Sequence, residues 1–159
     1  MLGPKLTRRV MVCLLAGACV SAPRQETVNV LFVCLHGTVK SPIAREHMRR
    51  MVAERGLQAN IQSRGIAPED AVTPQLAAAL AADGIDVGSE PLQQLTTADL
   101  AAADIIVLFN PLPASLGLWP ARDWSDTPSM NADYPAARAA LLERLADLVD
   151  ELASASTRR

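Results

Sequence analysis

The segment Val30-Leu31-Phe32-Val33-Cys34-Leu35-His36-Gly37-Thr38-Val39-Lys40-Ser41-Pro42 constrains the fold of this chain more than any other. An apolar run ends in a cysteine. A glycine, a cation, a hydroxyl and a proline follow in short order. Such a pattern encodes a strand, a loop that can cradle an anion, and a helix N-terminus. It places a thiol where backbone N–H groups and a helix dipole favour negative charge. The thiolate is the nucleophilic form of cysteine.

The rest of the chain supplies the partners of that strand. Val28 to Val33 is apolar except for Asn29, as suits a strand buried on both faces. Ser41 is a candidate N-cap with Pro42 at the first helical position. Ala44, Met48, Met51, Val52 and Arg55 then follow helical spacing, and Gly56 ends the helix. Leu57 to Ser63 reads as a second strand. Thr73-Pro74 repeats the cap-plus-proline start, with Leu76 and Leu80 on one face and Gly84 as the stop. Thr97 to Ala103 reads as a short helix and Asp104 to Phe109 as a further buried strand. Pro111 to Asp133 is proline-rich and reads as loop around a short fourth strand. Leu141, Leu142, Leu145, Leu148, Val149 and Leu152 mark a long amphipathic helix. Alternating strands and helices with buried-type strands predict an α/β fold, a parallel sheet covered on both faces. Ligands of such folds bind at the carboxyl ends of the strands, where Cys34 falls.

Length and charge narrow the class. The 159 residues suit one domain with a real core behind a short leader. A formal charge of −2 argues against a basic nucleic-acid surface, so no nucleic-acid partner is expected. No Cys-x-x-Cys pair, His/Cys metal cluster or internal repeat is present, and neither metal nor cofactor is expected.

Residues 1–25 read as a targeting segment. Lys5, Arg8 and Arg9 form a basic region, and Val10 to Val20 has the length of a signal-peptide apolar core. Ala16-Gly17-Ala18 is a small-x-small cleavage site. With the next residue, Leu15-Ala16-Gly17-Ala18-Cys19 also resembles a bacterial lipobox, and Thr7 to Val12 resembles a twin-arginine signal. Export is expected, with a periplasmic or a lipid-anchored product. The alternative is a cytoplasmic protein with a misassigned start. Of three cysteines, Cys13 is lost with the leader and Cys19 is lipidated or left near the new N-terminus. Cys34 is then the one cysteine inside the domain, so a structural disulfide is excluded there and a chemical role is indicated.

The residues around Cys34 carry a more specific resemblance. VLFVCLHGTVKSPIA resembles the phosphate-binding loop of the low-molecular-weight protein tyrosine phosphatase family, which also contains related arsenate reductases. Ser63-Arg64-Gly65 stands where the family has Ser-Ala-Gly. Val72 to Leu95 resembles its second helix and following turn, Leu95 to Phe109 its next buried strand, and Trp124-Ser125-Asp126-Thr127-Pro128 its acid loop. The resemblance implies a three-layer α/β/α domain over residues 26–155, with a central four-stranded parallel sheet of phosphotyrosine protein phosphatase I-like type. It implies phosphomonoester hydrolysis through a cysteinyl-phosphate on Cys34. Loop N–H groups from Leu35, His36, Gly37, Thr38, Val39 and Lys40 would hold the phosphate oxygens together with the Lys40 side chain. Ser41 would stabilise the thiolate, and Asp126 would serve as general acid. The implied partner is a phosphorylated protein, a small phosphomonoester or another oxyanion, bound by a monomer.

Three departures from the family pattern stand out. Lys40 replaces the loop arginine, trading a planar two-bond fork for a point charge. Gly37 replaces a structuring asparagine. The acid-loop Asp-Pro pair reads Asp126-Thr127-Pro128, so strict alignment puts Thr127 at the acid position, one residue of slack puts Asp126 there, and Asp123 is a further candidate. His36 either marks an arsenate-reductase-like loop or packs behind it. His47 is expected at a helix surface or boundary. Tyr134, Trp119 and Trp124 could border the pocket or cover the core. Two alternatives to hydrolysis follow: an arsenate reductase using an external thiol, or a catalytically weak oxyanion-binding homologue.

Overall fold

The structure, a computed structural model, describes residues 27–158. The leader, with Cys13 and Cys19, lies outside the described residues. The elements are β1 (Val28–Cys34), α1 (Lys40–Glu54), β2 (Ala59–Gly65), α2 (Pro74–Ala82), α3 (Thr97–Ala102), β3 (Ile105–Leu108), a 3-10 turn at Ala114–Leu116, β4 (Arg122–Asp123) and α4 (Tyr134–Thr157). The strands form one four-stranded parallel sheet in the order β2-β1-β3-β4.

The two faces of β1 divide the core. Val30, Phe32 and Cys34 point into the larger cluster, built with Ile43 and Met48 of α1, Leu76 and Leu80 of α2, and Leu141, Leu145 and Leu148 of α4. Leu31 and Val33 point the other way, against Leu95, Leu100 and Ile106. Both faces of the strand are thus apolar, which explains its unbroken hydrophobic run. Each fully buried leucine of α4 contributes about 1.5–3 kcal/mol relative to exposure. Asn29, the one polar interruption, sits at the strand entrance, where Asp104 Oδ2 accepts from its backbone N–H at 2.7 Å. Asp104 is thereby a cap on the sheet rather than part of β3.

β1 is central. The chain steps to β2 on one side and to β3 on the other, so the direction of winding reverses at β1. A crevice opens at such a reversal, at the carboxyl ends of the strands. Cys34 ends β1 there.

Several expected boundaries move for identifiable reasons. Helix α1 begins at Lys40 with Val39 as cap residue and no side-chain cap. Ser41 is not the N-cap, because its hydroxyl turns to Cys34 Sγ, 3.0 Å away. Strand β2 starts at Ala59 rather than Leu57, since the Leu57 N–H still closes α1 by donating to Val52 O at 3.0 Å. It runs on to Gly65, which pairs with Cys34. Thr73 does cap α2, accepting from Leu76 N, and a capping box of Thr96 and Asp99 starts α3. His47 is 3 % exposed, not at a surface, with Arg138, Arg50, Asp83 and Glu46 around it. No helix among the described residues is long and apolar enough to cross a membrane.

Candidate active site

Cys34 is buried at the base of the β1–α1 loop. Its Sγ lies 3.0 Å from Ser41 Oγ and accepts from the Gly37 N–H at 3.2 Å. Toward a thiolate the Ser41 hydroxyl is the donor of that pair. Two dipoles therefore face the sulfur.

The loop curls because Gly37 adopts φ +72°, a conformation favoured by glycine and tolerated by asparagine. The exchange of asparagine for glycine at this point thus leaves the turn intact. Among the described residues, the N–H groups of His36, Thr38, Val39 and Lys40 donate to no protein acceptor. They form the concave set of donors that binds anions. The Leu35 N–H differs: Asn110 Oδ1 accepts it at 2.9 Å. The structure therefore removes Leu35 N–H from the expected set of oxygen ligands and makes it an anchor instead.

The segment after β2 straps the outside of the loop. Ile66, Ala67 and Glu69 donate from their backbone to the carbonyls of Cys34, Leu35 and His36 at 3.0, 2.8 and 3.1 Å. Thr38 Oγ1 donates to Glu69 O at 2.8 Å and accepts from Ala71 N at 3.1 Å. His36 Nδ1 is 3.5 Å from Glu69 Oε2, so His36 faces the strap on the outside of the loop. Beyond it, Arg45 is buried and donates to Ser63 Oγ and Glu90 Oε2 at 2.9 and 3.0 Å. That pairing fixes the strand-like stretch carrying Leu92, whose Cδ1 closes over Gly37.

Lys40, the loop cation, reaches across to the acid loop. Its Nζ donates to the Thr127 carbonyl at 2.5 Å. Burial lowers its pKa below the ordinary lysine value, while Cys34 and Asp126 oppose that shift. Both the thiol and the carboxylate thus sit within the electrostatic reach of one ammonium.

Asp126 is gripped by Arg144 of α4. Nη1 donates to Oδ1 at 2.8 Å and Nη2 to Oδ2 at 2.6 Å. The guanidinium holds the Asp126 carboxyl below the usual carboxylate range. Asp123 is also held low, by the Ser125 side chain and then by the Ser125 N–H, which donates to Asp123 Oδ1 at 2.8 Å. Thr127, at the strictly aligned acid position, is buried and has no carboxyl to offer. Trp124 lies in the core with Phe32 and Phe109, at ring distances of 6.1 and 6.0 Å. Trp119 instead lines an open cleft of about 630 Å³ with Asn110, Leu112, Leu118 and Asp123. Tyr134 turns away from the loop and donates to Asp83 Oδ2 at 2.8 Å.

Sequence reasoning missed Asn110, Glu69 and Arg144. Asn110 had a signal, a polar residue directly after a buried strand at the end where ligands bind. Arg144 had none, since a cation within an amphipathic helix reads as a solvated face.

A family model for the low molecular weight phosphotyrosine protein phosphatases matches residues 29–111, and the chain belongs to that family. The match spans β1 to the residues just past β3, and thus the anion loop and Asn110 but not the acid loop. No curated protein sequence matches the chain. Solved structures share the fold at low identity. YfkJ from Bacillus subtilis is 18% identical with a TM-score of 0.66, over 82% of this chain and 98% of that one. A low molecular weight protein tyrosine phosphatase from Streptococcus pyogenes is 17% identical with a TM-score of 0.62, over 79% and 93%. A thioredoxin-dependent arsenate reductase from Corynebacterium glutamicum is 18% identical with a TM-score of 0.64, over 83% of this chain and 65% of that one.

Proposed function

We propose that this protein hydrolyses phosphomonoesters, in the manner of a protein tyrosine phosphatase, through a cysteinyl-phosphate on Cys34. The observation that carries the reading is the convergence of the Ser41 hydroxyl and the Gly37 N–H on one buried thiol, within electrostatic reach of the Lys40 ammonium and beside loop N–H groups that donate to no protein acceptor among the described residues. The Cys34 thiolate attacks phosphorus. The S–P bond forms as the P–O bond to the leaving group breaks. Water then attacks phosphorus, the S–P bond breaks, and phosphate leaves with the thiolate restored. The N–H groups of His36, Thr38, Val39 and Lys40 hold the equatorial oxygens, and Asp126 serves proton transfer.

The test is turnover of p-nitrophenyl phosphate by the full chain beside Cys34→Ser. A stoichiometric burst and a phosphorylated Cys34 peptide in acid-quenched wild-type protein support the reading. Equal turnover by Cys34→Ser overturns it.

A second reading, an oxyanion-binding homologue with slow turnover, is favoured by the Lys40–Thr127 bond, which occupies the loop cation. Phosphate that protects both proteins against unfolding, with no burst from either, selects it. The arsenate-reductase reading keeps attack by Cys34 but draws its electrons from an external thiol, since Cys34 is the only cysteine among the described residues. Thiol-dependent loss of arsenate selects that one.

A further inference from the structure

The open cleft beside the anion loop has walls that suit a cation on an apolar stem. Leu112, Leu118 and Trp119 form its apolar side, and Leu118 is fully exposed there. The Trp119 Nε1–H is spent on the Leu116 carbonyl at 2.7 Å, so the indole offers the cleft a ring and no free donor. Asp123 is the one charged residue of the lining. Nearby cations are already taken: Arg122 by Glu151 at 2.7 Å and Arg144 by Asp126 at 2.6 Å. The Ser125 side chain and N–H that hold the Asp123 carboxylate are neutral, so among the described residues no ion pair offsets its charge.

Asn110 ties this cleft to the anion loop. Its Oδ1 accepts the Leu35 N–H at 2.9 Å, and its Nδ2 donates to no protein acceptor among the described residues. The sheet sets the spacing. Val33, Leu108 and Asp123 stand in one row across β1, β3 and β4. Neighbouring strands lie about 4.8 Å apart, so the Asp123 backbone is about 10 Å from the strand end that carries Cys34. About three residues of extended chain cover that distance.

Resting on the Cys34 hydrolase reading, we propose that this cleft is a specificity subsite for a lysine or arginine side chain of a phosphorylated polypeptide, within about three residues of the phosphorylated one. The aliphatic stem covers Leu112 and Leu118, and the cation meets Asp123 and the Trp119 ring. The Asn110 amide hydrogens remain for a carbonyl of the peptide backbone. The Asp123 charge repels an acidic residue at the same place, which adds discrimination.

The experiment uses phosphotyrosyl peptides of serine and glycine. Each carries a single lysine, norleucine or glutamate one, two or three residues to either side of the phosphotyrosine. Norleucine has the lysine stem without the ammonium. Hydrolysis by the full chain gives kcat/KM, and fluorescence polarisation of labelled peptides gives Kd on Cys34→Ser. At one position or more, lysine is expected to exceed norleucine by about fivefold in both measures, the scale of an exposed ion pair with a cation–π contact. The gain falls in KM rather than kcat and shrinks at high salt. Asp123→Asn keeps an oxygen for the Ser125 N–H and is expected to bring lysine down to norleucine. Asp147→Asn, an equal charge change on the exposed side of α4, leaves the preference as in wild type. Each reading is a ratio between two peptides on one protein, so a general loss of activity in a variant cancels. Norleucine or glutamate matching lysine at every position overturns the proposal, even if Asp123→Asn does not fold. A lysine preference that survives Asp123→Asn overturns it as well. Turnover of p-nitrophenyl phosphate without any lysine preference removes the subsite and leaves the hydrolase reading standing. No turnover of any ester by wild type overturns that reading, and the Kd ratio on Cys34→Ser then decides the subsite by itself.

Discussion

Gly37 and Gly65 interlock: a Cβ on Gly37 would lie 2.8 Å from both the Cα and the N of Gly65, and a Cβ on Gly65 would lie 2.9 Å from the His36 carbonyl oxygen. The curl of the anion loop rests directly on the end of β2. Gly37 also needs its positive φ, so its substitution adds backbone strain to the clash. Gly37→Ala is expected to destabilise the chain by about 2 kcal/mol or more and to abolish protection by phosphate. Denaturant unfolding with and without phosphate checks both. Unchanged stability would mean that the two backbones separate freely.

Lys40 is the only side-chain cation of the loop, and its role is separable by charge and by shape. Lys40→Met is expected to lower kcat/KM for an aryl phosphate by on the order of a hundredfold, the scale of a lost oxyanion donor. Lys40→Arg adds a second hydrogen bond to phosphate and is expected to exceed wild type in kcat. Steady-state kinetics read both. A Lys40→Met variant that matches wild type would place the charge outside the reaction.

Much of this architecture was legible in the order of residues. The run from Val28 to Cys34 announced a strand buried on both faces, and Thr73-Pro74 and Gly84 bracketed α2. What failed to show was competition for side chains. Ser41 has the chemistry of a cap, yet the thiol of Cys34 takes its hydroxyl, and the helix starts two residues early, at Lys40. Leu35 looked like one more N–H donor for phosphate, but Asn110, 75 residues away, claims it. Arg144 and Asp126 meet only because α4 packs against one face of the sheet beside the acid loop. Such pairings depend on the finished fold and leave no local periodicity. His47 reads as a surface residue in a charged helix face, and only the packing of α2 and α4 over α1 buries it.

Burial, then Arg138 and Arg50, lower the His47 pKa below the ordinary histidine value of 6.5, against Asp83 and Glu46. The folded chain therefore binds fewer protons at this site than the unfolded chain. Its contribution is fully present above pH 6.5 and is lost as pH falls through the folded value. His47→Gln is expected to flatten the fall in stability below that pH. Urea midpoints between neutral and mildly acid pH measure the slope. An equal slope in wild type and variant would assign the acid sensitivity to other groups.

Tyr134 is the only tyrosine of the chain, so its phenol titrates without a competing signal. Burial, then the Asp83 carboxylate, push its pKa up to about 12. An ultraviolet titration is expected to find a midpoint near that value. Because the folded chain holds this proton longer, stability is unaffected below pH 10 and declines above it. A midpoint at the ordinary tyrosine value would show that the Asp83 contact is not made in solution.

Every strand of the sheet points the same way, and this gives the domain a front and a back. β1 enters at Val28 and delivers Cys34 six residues later, about 20 Å away. Thr27 and the late α4 residues Glu151 and Ala155 share the walls of one hollow at the entry rim. The chain therefore enters the described domain at its back, at the end of the sheet opposite the mouth of the Cys34 loop.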